Sequence, residues 1–288
     1  MEPVTSAPPQ PPPSNGLMSR ELQLRIVSGA AVAAIALCMV YWGSVPFAIL
    51  VFLISAAMSW EWGGIVRGEG LDTAGWLQIL SMAAAAVLAN LGMAGLGLAA
   101  TVVGAITVGA VLFGGGRAQL SSLGVIYTGL PVVALGWLRG DEPMGFRAVL
   151  FLLIIVVVTD TAAYFSGKTF GGPKLWPSIS PKKTWSGLIG GVVAAALAGA
   201  LFARTSGSGT VAWLAILGFA LAIVAQGGDL AESALKRRFG RKDASDLIPG
   251  HGGFMDRMDG IVTASVAAAL VALAIDAYAP ARAVLYGS

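Results

Sequence analysis

Residues 148–166 read AVLFLLIIVVVTDTAAYFS, an almost unbroken apolar run that contains a single acid, Asp160. A helix needs roughly 17–25 predominantly apolar residues to cross the hydrocarbon core of a bilayer, so the run predicts a transmembrane helix. An ionised carboxylate close to that core is costly unless it is paired, binds a cation or lines an aqueous cavity. Asp160 therefore either reaches the interface at the end of the span or faces a polar site.

The composition of the whole chain extends this interpretation to the rest of the molecule. Of 288 residues, 56% are hydrophobic and 11% are charged, and the mean hydropathy is +0.79. A water-soluble domain has about a quarter of its residues charged. The composition excludes a soluble globular enzyme, a disordered protein and a disulfide scaffold, and it predicts an all-α, polytopic transmembrane helical bundle.

Short Gly, Pro or charged segments divide the chain into about nine predicted spans. They cover approximately residues 26–42, 45–60, 76–92, 95–113, 118–138, 148–166, 187–203, 210–228 and 260–278. We predict three regions: a disordered, Pro-rich tail (1–22), a set of N-terminal transmembrane helices (23–145) and a catalytic transmembrane domain (146–288).

The distribution of Lys and Arg predicts the orientation, because cytosolic loops carry an excess of both. With nine spans and a cytosolic N-terminus, all but four of the 18 basic residues fall on the cytosolic side; the four are Arg139, Arg147, Arg204 and Arg282. We therefore predict a multi-pass protein of the cell (inner) membrane, with its N-terminus in the cytosol.

Two long polar segments, 167–186 and 229–259, are separated by one predicted helical hairpin and so emerge on the same membrane face. The second contains twelve of the 33 charged residues of the chain. In the first, Lys168 follows Gly167, and the run Ser180-Pro181-Lys182-Lys183-Thr184 combines hydroxyl and ammonium groups on a Gly- and Pro-rich loop. Such groups can hold a polyphosphate.

The second segment adds carboxylates. Asp229, Glu232 and Lys236 share one face of a helix by their spacing, and Asp256 and Asp259 lie at the start of the last predicted span. Gly250-His251-Gly252-Gly253 can bring backbone N–H groups close to a phosphate. Carboxylates beside cations are typical of metal-assisted phosphoryl or nucleotidyl transfer; the alternative is a solvated, salt-bridged loop.

The chain has one cysteine, Cys38, and one histidine, His251. An intramolecular disulfide, a thiolate cluster and a His-rich metal site are therefore excluded. A metal ion must be held mainly by carboxylates, which favours a hard cation such as Mg²⁺.

The second segment carries a longer pattern: Ser233-x-Leu235-Lys236-Arg237, Lys242-Asp243-x-Ser245 and Ile248-Pro249-x-His251-Gly252-Gly253-Phe254-x-Asp256-Arg257-Met258-Asp259. This pattern resembles the signature of the phosphatidate cytidylyltransferase (CDP-diacylglycerol synthase) family. Upstream, Asp160-Thr161-x-Ala163-Tyr164-x-x-Gly167-Lys168 and the run 180–184 resemble that family's other polar motifs. The resemblance covers about residues 150–265.

The resemblance implies a nucleotidyltransferase of phospholipid biosynthesis that converts CTP and phosphatidate into CDP-diacylglycerol and pyrophosphate. It also implies Mg²⁺ dependence, with room for a second cation, and a homodimer; no nucleic acid partner is expected. Asp229, Asp256 and Asp259 would hold the metal, and the catalytic group would add Lys236, Arg237, His251 and Arg257. Substrate binding would involve Asp160, Tyr164, Lys168, Ser180, Lys182, Lys183, Thr184, Lys242 and Asp243.

One position departs from the family pattern. Members commonly have Glu two residues after the Thr of the Ser-Pro-Lys-Lys-Thr motif, where this chain has Ser186. Either that acid is dispensable or another carboxylate, such as Glu232, replaces it. His251 either orients a phosphate or is a structural turn residue.

Three other functions remain open from the residues alone. A related nucleotidyltransferase could act on a different lipid phosphate. An ion-coupled transporter would also use Asp160 and clustered acids, although the chain has no internal repeat. A CDP-alcohol phosphotransferase is a further candidate, but Thr263-Ala264 replaces the Ala-Arg pair expected after Asp259-Gly260.

Overall fold

A computed structural model describes residue 29, residues 33–248 and residues 252–288. The elements are α1 (Ala33–Trp42), α2 (Ser44–Val66), α3 (Thr73–Asn90), α4 (Ala94–Val111), α5 (Ala118–Gly140), α6 (Gly145–Phe170), β1 (Lys174–Trp176), β2 (Ser180–Thr184), α7 (Trp185–Ser206), α8 (Val211–Arg238), α9 (Met255–Ile275) and α10 (Pro280–Tyr286). The predicted tail (1–22), the beginning of the first predicted span and His251 lie outside the described residues.

Within the part of the chain that the structure describes, eight helices, α2 to α9, are long and apolar enough to cross a membrane. They confirm the predicted class, a polytopic helical membrane protein. The described part of the first predicted span corresponds to α1, which is ten residues long. The division into regions 23–145 and 146–288 stays a prediction.

Of the helices that extend beyond their predicted spans into the polar segments, two extend furthest. Helix α8 continues ten residues past the predicted end at 228, and α9 begins at Met255 rather than near 260. Hydropathy marks where apolar side chains stop, whereas a helix continues as long as its backbone hydrogen bonds remain favourable. Consequently Asp229, Glu232 and Lys236 lie on a continuous helix, and Asp256 and Asp259 lie in the first turns of α9.

A small antiparallel β-hairpin lies between α6 and α7, where the sequence predicted only a polar loop. Lys174 pairs with Thr184 and Trp176 with Ser180. The chain leaves α6 through Gly171 and Gly172, whose φ angles of 61° and 96° lie in the region that favours glycine. Trp176 and Trp185 are exposed on this hairpin and the helix start that follows, as is typical of aromatic residues at a membrane interface.

Helices α6 and α7 approach closely because glycines line their contact. A Cβ atom added at Gly190 would lie 2.2 Å from the hydroxyl of Ser166, and one at Gly191 would lie 2.8 Å from the carbonyl oxygen of Thr159. Small residues allow such close helix packing in membranes. The hairpin and the polar ends of both helices are thereby held together.

The largest buried core cluster is centred on α5 to α9, with further residues from α1 to α3 and α10, and includes Leu152, Ile155, Leu217, Leu221 and Ala264. Helix α5 packs against α2, α3 and α4 and also against α9. This core fixes the polar ends of α6, α8 and α9 relative to one another. The candidate site lies at those three ends.

Candidate active site

One cavity of about 650 Å³ lies between α6, the hairpin, α7, α8 and α9. Both polar segments of the sequence contribute to it. Ten of the residues that the sequence assigned to the site line this cavity: Asp160, Tyr164, Lys168, Lys182, Lys183, Thr184, Asp229, Asp256, Arg257 and Asp259. Lys174 and Gln226, which the sequence analysis did not select, line it as well.

A chain of polar contacts joins the two segments inside the cavity. The Nζ of Lys183 lies 2.6 Å from Oδ2 of Asp229 and donates to Oε1 of Gln226 at 3.1 Å. The amide nitrogen of Gln226 donates to Oδ1 of Asp160 at 3.1 Å. Gln226 therefore connects an acid on α6 to the lysine of the hairpin. Its signal in the sequence is a polar residue three positions before Asp229 in an otherwise apolar span.

Asp256 is held by groups of the protein itself. Its Oδ1 accepts a short hydrogen bond from Nζ of Lys236, and its Oδ2 accepts from the backbone N–H groups of Ala244 and Gly253 at 2.9 and 2.8 Å. The carboxylate thus ties the loop before α9 to α8. Asp256 borders the cavity, but its oxygens already bind a buried cation and the backbone.

The partner of Asp256, Lys236, is a buried residue rather than a lining residue of the cavity. Its Nζ also donates to Oε1 of Glu232 at 3.0 Å, and Oε2 of Glu232 accepts from the hydroxyl of Tyr127 at 3.1 Å. Glu232 therefore faces α5 and the protein interior. The spacing of Glu232 and Lys236 correctly placed them on one helix face, but it could not distinguish the interior from the cavity.

A buried acid on α2 completes this network. Glu61 accepts hydrogen bonds from the backbone N–H groups of Phe254 and Met255 at 2.8 and 2.7 Å, and from the hydroxyl of Ser245. It caps the beginning of α9 from a helix almost 200 residues earlier in the chain. In the sequence, Glu61 directly follows the predicted span 45–60 and looks like a boundary residue.

Thr184 and Ser186 fasten the hairpin to α7. The Thr184 hydroxyl accepts from the backbone N–H of Gly187 at 3.1 Å and so caps α7. Ser186 donates to the carbonyl oxygen of Gly171 and lies 3.0 Å from the Thr184 hydroxyl. Ser186, where family members commonly have Glu, therefore joins the two ends of the hairpin.

Some assigned residues do not line the cavity. Ser180 begins β2, Lys242 and Asp243 are exposed in the loop after α8, and Arg237 donates to the carbonyl oxygens of Ile179 and Arg241. His251 lies outside the described residues. Tyr164 and Lys168, by contrast, form an adjacent pair at the cavity wall, with Nζ 5.7 Å from the ring centroid.

The cavity combines both signs of charge. Asp160, Asp229 and Asp259 are close enough for their negative charges to repel one another. Four lysines and one arginine line the same space: Lys168, Lys174, Lys182, Lys183 and Arg257. Such a site can neutralise several phosphate oxygens while the acids face a cation.

The donor chemistry of the cavity fits a hard divalent cation, since three carboxylates face one polar space. Across 33–248 and 252–288, however, no three His, Cys, Asp or Glu side chains form a ready-made metal cluster. Mg²⁺ is commonly bound by one or two carboxylates together with substrate phosphates and water. The residues present match that mode of binding.

Comparisons of the chain with a family model and with individual known proteins agree on one family. Residues 23–275 match the model of the Cytidylyltransferase family. The chain is 39% identical over 248 residues to phosphatidate cytidylyltransferase of Brucella suis biovar 1 (strain 1330), covering 85% of this chain and 90% of that protein. It is 29% identical over 250 residues to phosphatidate cytidylyltransferase of Bacillus subtilis (strain 168), covering 83% and 93%.

The match to phosphatidate cytidylyltransferase of Haemophilus influenzae is shorter, with 43% identity over 129 residues, or 43% of this chain and 45% of that protein. Enzymes of this family generally depend on a divalent cation. The family match spans the cavity residues of α6, the hairpin, α8 and α9. The chain belongs to the cytidylyltransferase family and is a nucleotidyltransferase.

Proposed function

We propose that the protein transfers a cytidylyl group from CTP to phosphatidate, forming CDP-diacylglycerol and pyrophosphate. One observation carries the proposal: acids and lysines from both polar segments surround a single cavity at the polar ends of apolar helices. A water-soluble triphosphate and a membrane lipid can meet at such a boundary. The relatives named above carry this activity in their names.

The reaction is an in-line displacement at phosphorus. An oxygen of the phosphatidate phosphate attacks the α-phosphorus of CTP and forms the new P–O bond. The bond from the α-phosphorus to the oxygen that bridges to the β-phosphate breaks, and its electron pair leaves with pyrophosphate. A phosphate monoester is largely dianionic at pH 7, so the attack requires no general base.

The main barrier that the protein must lower is repulsion between two anions. Unit charges 4 Å apart interact by about 4 kcal/mol at an effective dielectric constant of 20. Lys168, Lys182 and Lys183 would bind oxygens of the triphosphate, and Arg257 would bind the lipid phosphate. Because Lys183 already contacts Asp229 and Gln226, its position is set before the substrate binds.

We assign Mg²⁺ to the acids that face the cavity, Asp229 and Asp259, with Asp160 nearby. Among the described residues, Asp229 contacts the side chains of Lys183 and Ser233, and it lines the cavity. A bound divalent cation would supply positive charge to the phosphate oxygens and to the leaving pyrophosphate. Asp256, which the sequence also assigns to the metal, would instead position the loop before α9.

We further propose that the cavity opens to the cytosol, at the inner membrane. Arg139, Arg147, Arg204 and Arg282 belong to α5, α6, α7 and α10 at the helix ends remote from the cavity. The other basic residues that the structure describes are concentrated at the cavity end, in agreement with the excess of Lys and Arg in cytosolic loops. Cytosolic CTP then reaches the site directly.

The test uses purified full-length protein in detergent with phosphatidate, Mg²⁺ and CTP labelled in the cytidine. We expect a labelled liponucleotide and pyrophosphate in equal amounts, with loss of both on chelation and recovery when Mg²⁺ is restored. Product with another lipid phosphate but not with phosphatidate would identify the related nucleotidyltransferase instead. Ion flux in vesicles without nucleotide-dependent pyrophosphate release would identify a transporter.

The homodimer implied by the resemblance is a separate proposal. Light scattering of the protein in detergent measures its mass directly. A mass of two chains of 29.3 kDa plus bound detergent is the expected result, and a single chain would refute it.

A further inference from the structure

Two apolar grooves lie deeper along the same helices that carry the cavity. Their volumes are about 460 and 600 Å³, and both fall within the range of about 300–1,000 Å³ that is typical of ligand pockets. Five residues line both grooves: Ala36, Leu153, Phe254, Met258 and Ile261. The grooves are therefore neighbours that share a wall.

The shared wall is a ridge on α9. Phe254 precedes the helix, and Met258 and Ile261 follow at positions i+4 and i+7, so the three residues project on one side. The smaller groove lies between this ridge and helices α2 and α5, and the larger groove lies between the ridge and α6. Residues of α1 border both grooves.

The larger groove meets the polar cavity at Arg257. This arginine lines both spaces, and among the described lining residues of the larger groove it is the one charged side chain. Its guanidinium interacts electrostatically with Asp160 in the cavity. A ligand with an anionic head and apolar tails can thus place its head at Arg257 without leaving the grooves.

We propose that the two grooves bind the two acyl chains of phosphatidate, which straddle the ridge of Phe254, Met258 and Ile261, with the lipid phosphate at Arg257. This inference rests on the proposed function. Two neighbouring grooves that share one wall, the larger of which reaches a single cation, match a lipid with two chains and one phosphate. The site would select for a diacyl anionic lipid.

The dimensions agree with this occupant. The larger groove runs along α6 from Val158 to Leu150, which is about 12 Å at 1.5 Å per residue. One leaflet of the hydrocarbon core is about 15 Å deep, half of about 30 Å. The groove is therefore long enough to hold most of an acyl chain that extends through one leaflet.

The opposite side of α6 is closed to a lipid. Gly190 and Gly191 of α7 face α6. In the structure they contact Ser166 and Thr159 of α6 with no space for a side chain. The lipid would therefore approach from the side of α1, α2 and α9.

The first experiment locates the lipid without measuring catalysis. Phosphatidate with a diazirine in the proximal half of each acyl chain is photolysed with the full-length protein, and the adducts are mapped by mass spectrometry. We expect adducts on α1, α2, α6 and α9 that unlabelled phosphatidate prevents and phosphatidylcholine does not. Adducts spread over the exposed residues of α7, or equal competition by both lipids, would overturn the proposal.

The second experiment narrows each groove and compares matched variants on α7. Val157 and Leu53 line the larger and the smaller groove, whereas Val193 and Leu197 are similarly exposed on α7. We expect Val157→Trp and Leu53→Trp to raise the KM for phosphatidate about tenfold, the effect of losing roughly two methylene contacts, with an unchanged KM for CTP. Val193→Trp and Leu197→Trp should change neither constant.

The dependence of the KM on the length of the acyl chains separates groove binding from general destabilisation, which would affect long and short lipids equally. Leu150 lies at the deep end of the larger groove, two helical turns beyond Val157. Leu150→Trp should raise the KM for long-chain phosphatidate and leave that for a dihexanoyl analogue unchanged, whereas Val157→Trp should affect both. If each variant changes the KM for the long-chain lipid and the KM for the dihexanoyl analogue by the same factor, the acyl-chain assignment is refuted. This outcome does not depend on whether the enzyme prefers phosphatidate over other lipid phosphates.

Discussion

The acids at the polar end of the molecule form two groups with different partners. One group lines the cavity: Asp160 and Asp229 contact the side chains of Gln226 and Lys183, and Asp259 accepts from the backbone N–H of the next residue, Gly260. The other group faces the protein and binds backbone N–H groups, a buried lysine or a tyrosine: Glu61, Glu232 and Asp256. All six residues are carboxylic acids, so residue type alone does not distinguish the two groups. They differ in the groups that each acid contacts in the folded protein.

This comparison separates two tasks that the site requires. In the proposed mechanism the cavity acids bind a cation and contact lysines that hold phosphate, whereas the inner acids fix the start of α9 against α2 and α8. A buried charge is costly without partners, and removing one partner of a buried pair costs about 3–5 kcal/mol. We therefore expect substitutions in the first group to affect activity alone and those in the second group to affect folding as well.

The largest loss of activity is expected for Asp229→Asn. The change removes a carboxylate charge that binds Lys183 and, by our assignment, the divalent cation. We expect the turnover rate to fall by about 10²–10³-fold, the effect of removing one preorganised electrostatic contact, with an unchanged melting temperature in detergent.

Asp243→Asn is the matched control, since Asp243 is exposed outside the cavity. It should retain the wild-type rate of liponucleotide formation. Equal losses in the two variants would contradict the distinction between cavity acids and loop acids.

Asp256→Asn should reduce both activity and stability. The asparagine cannot balance the buried charge of Lys236, nor accept both backbone N–H groups as strongly. We expect the free energy of unfolding to fall by about 3 kcal/mol and the turnover rate by about 10²-fold, since small displacements of reacting groups have effects of this size. An inactive variant with a wild-type melting temperature would instead assign Asp256 to the cavity group.

Glu61→Gln should have a smaller effect, because Gln still accepts one of the two backbone hydrogen bonds at the start of α9. Loss of the charge-assisted contact should destabilise the protein by about 1.5–3 kcal/mol. The kcat should fall about tenfold through misplacement of Arg257 and Asp259, while the KM for CTP stays the same.

Glu69→Gln, an exposed substitution near the end of the same helix, is the control for Glu61→Gln. A change in the KM for CTP without a change in kcat would show that Glu61 acts on nucleotide binding rather than on the position of α9.

The smallest effect is expected for Lys242→Ala. The resemblance assigns Lys242 to substrate binding, but the side chain is exposed in the loop after α8 and does not line the cavity. Solvent-exposed charges contribute little, so both Michaelis constants should stay within about twofold of the wild type. A tenfold rise in the KM for CTP would bring this loop into the substrate site.

Most of the helical architecture could be predicted from apolar runs alone, because each transmembrane helix must satisfy its backbone within a long apolar segment. The same rule could not locate the ends of α8 and α9, where helix continues through charged residues. The hairpin was also missed, since Ser180 to Thr184 carry lysines and a proline rather than an alternating apolar pattern.

The sequence motifs identified most of the residues that line the cavity. They did not identify the buried residues that hold the lining residues in place. Lys183, Asp229 and Asp160 were selected from the sequence, and they lie in one connected set of contacts. Glu61 and Tyr127 were not selected, because their partners are distant in the chain and neither belongs to a polar run. Lys236 was assigned to the catalytic group, and the fold gives it two buried carboxylate partners.

The sequence by itself determined that the chain is a membrane-embedded helical protein whose two charged segments lie on one face, because hydropathy and helix count depend only on the order of residues. Tertiary structure decided which acids have cavity-side partners and which are held by the protein interior, and where the larger apolar groove meets Arg257. Those properties depend on distances between helices, and the close packing of α6 on α7 and of α9 on α8 and α5 sets these distances.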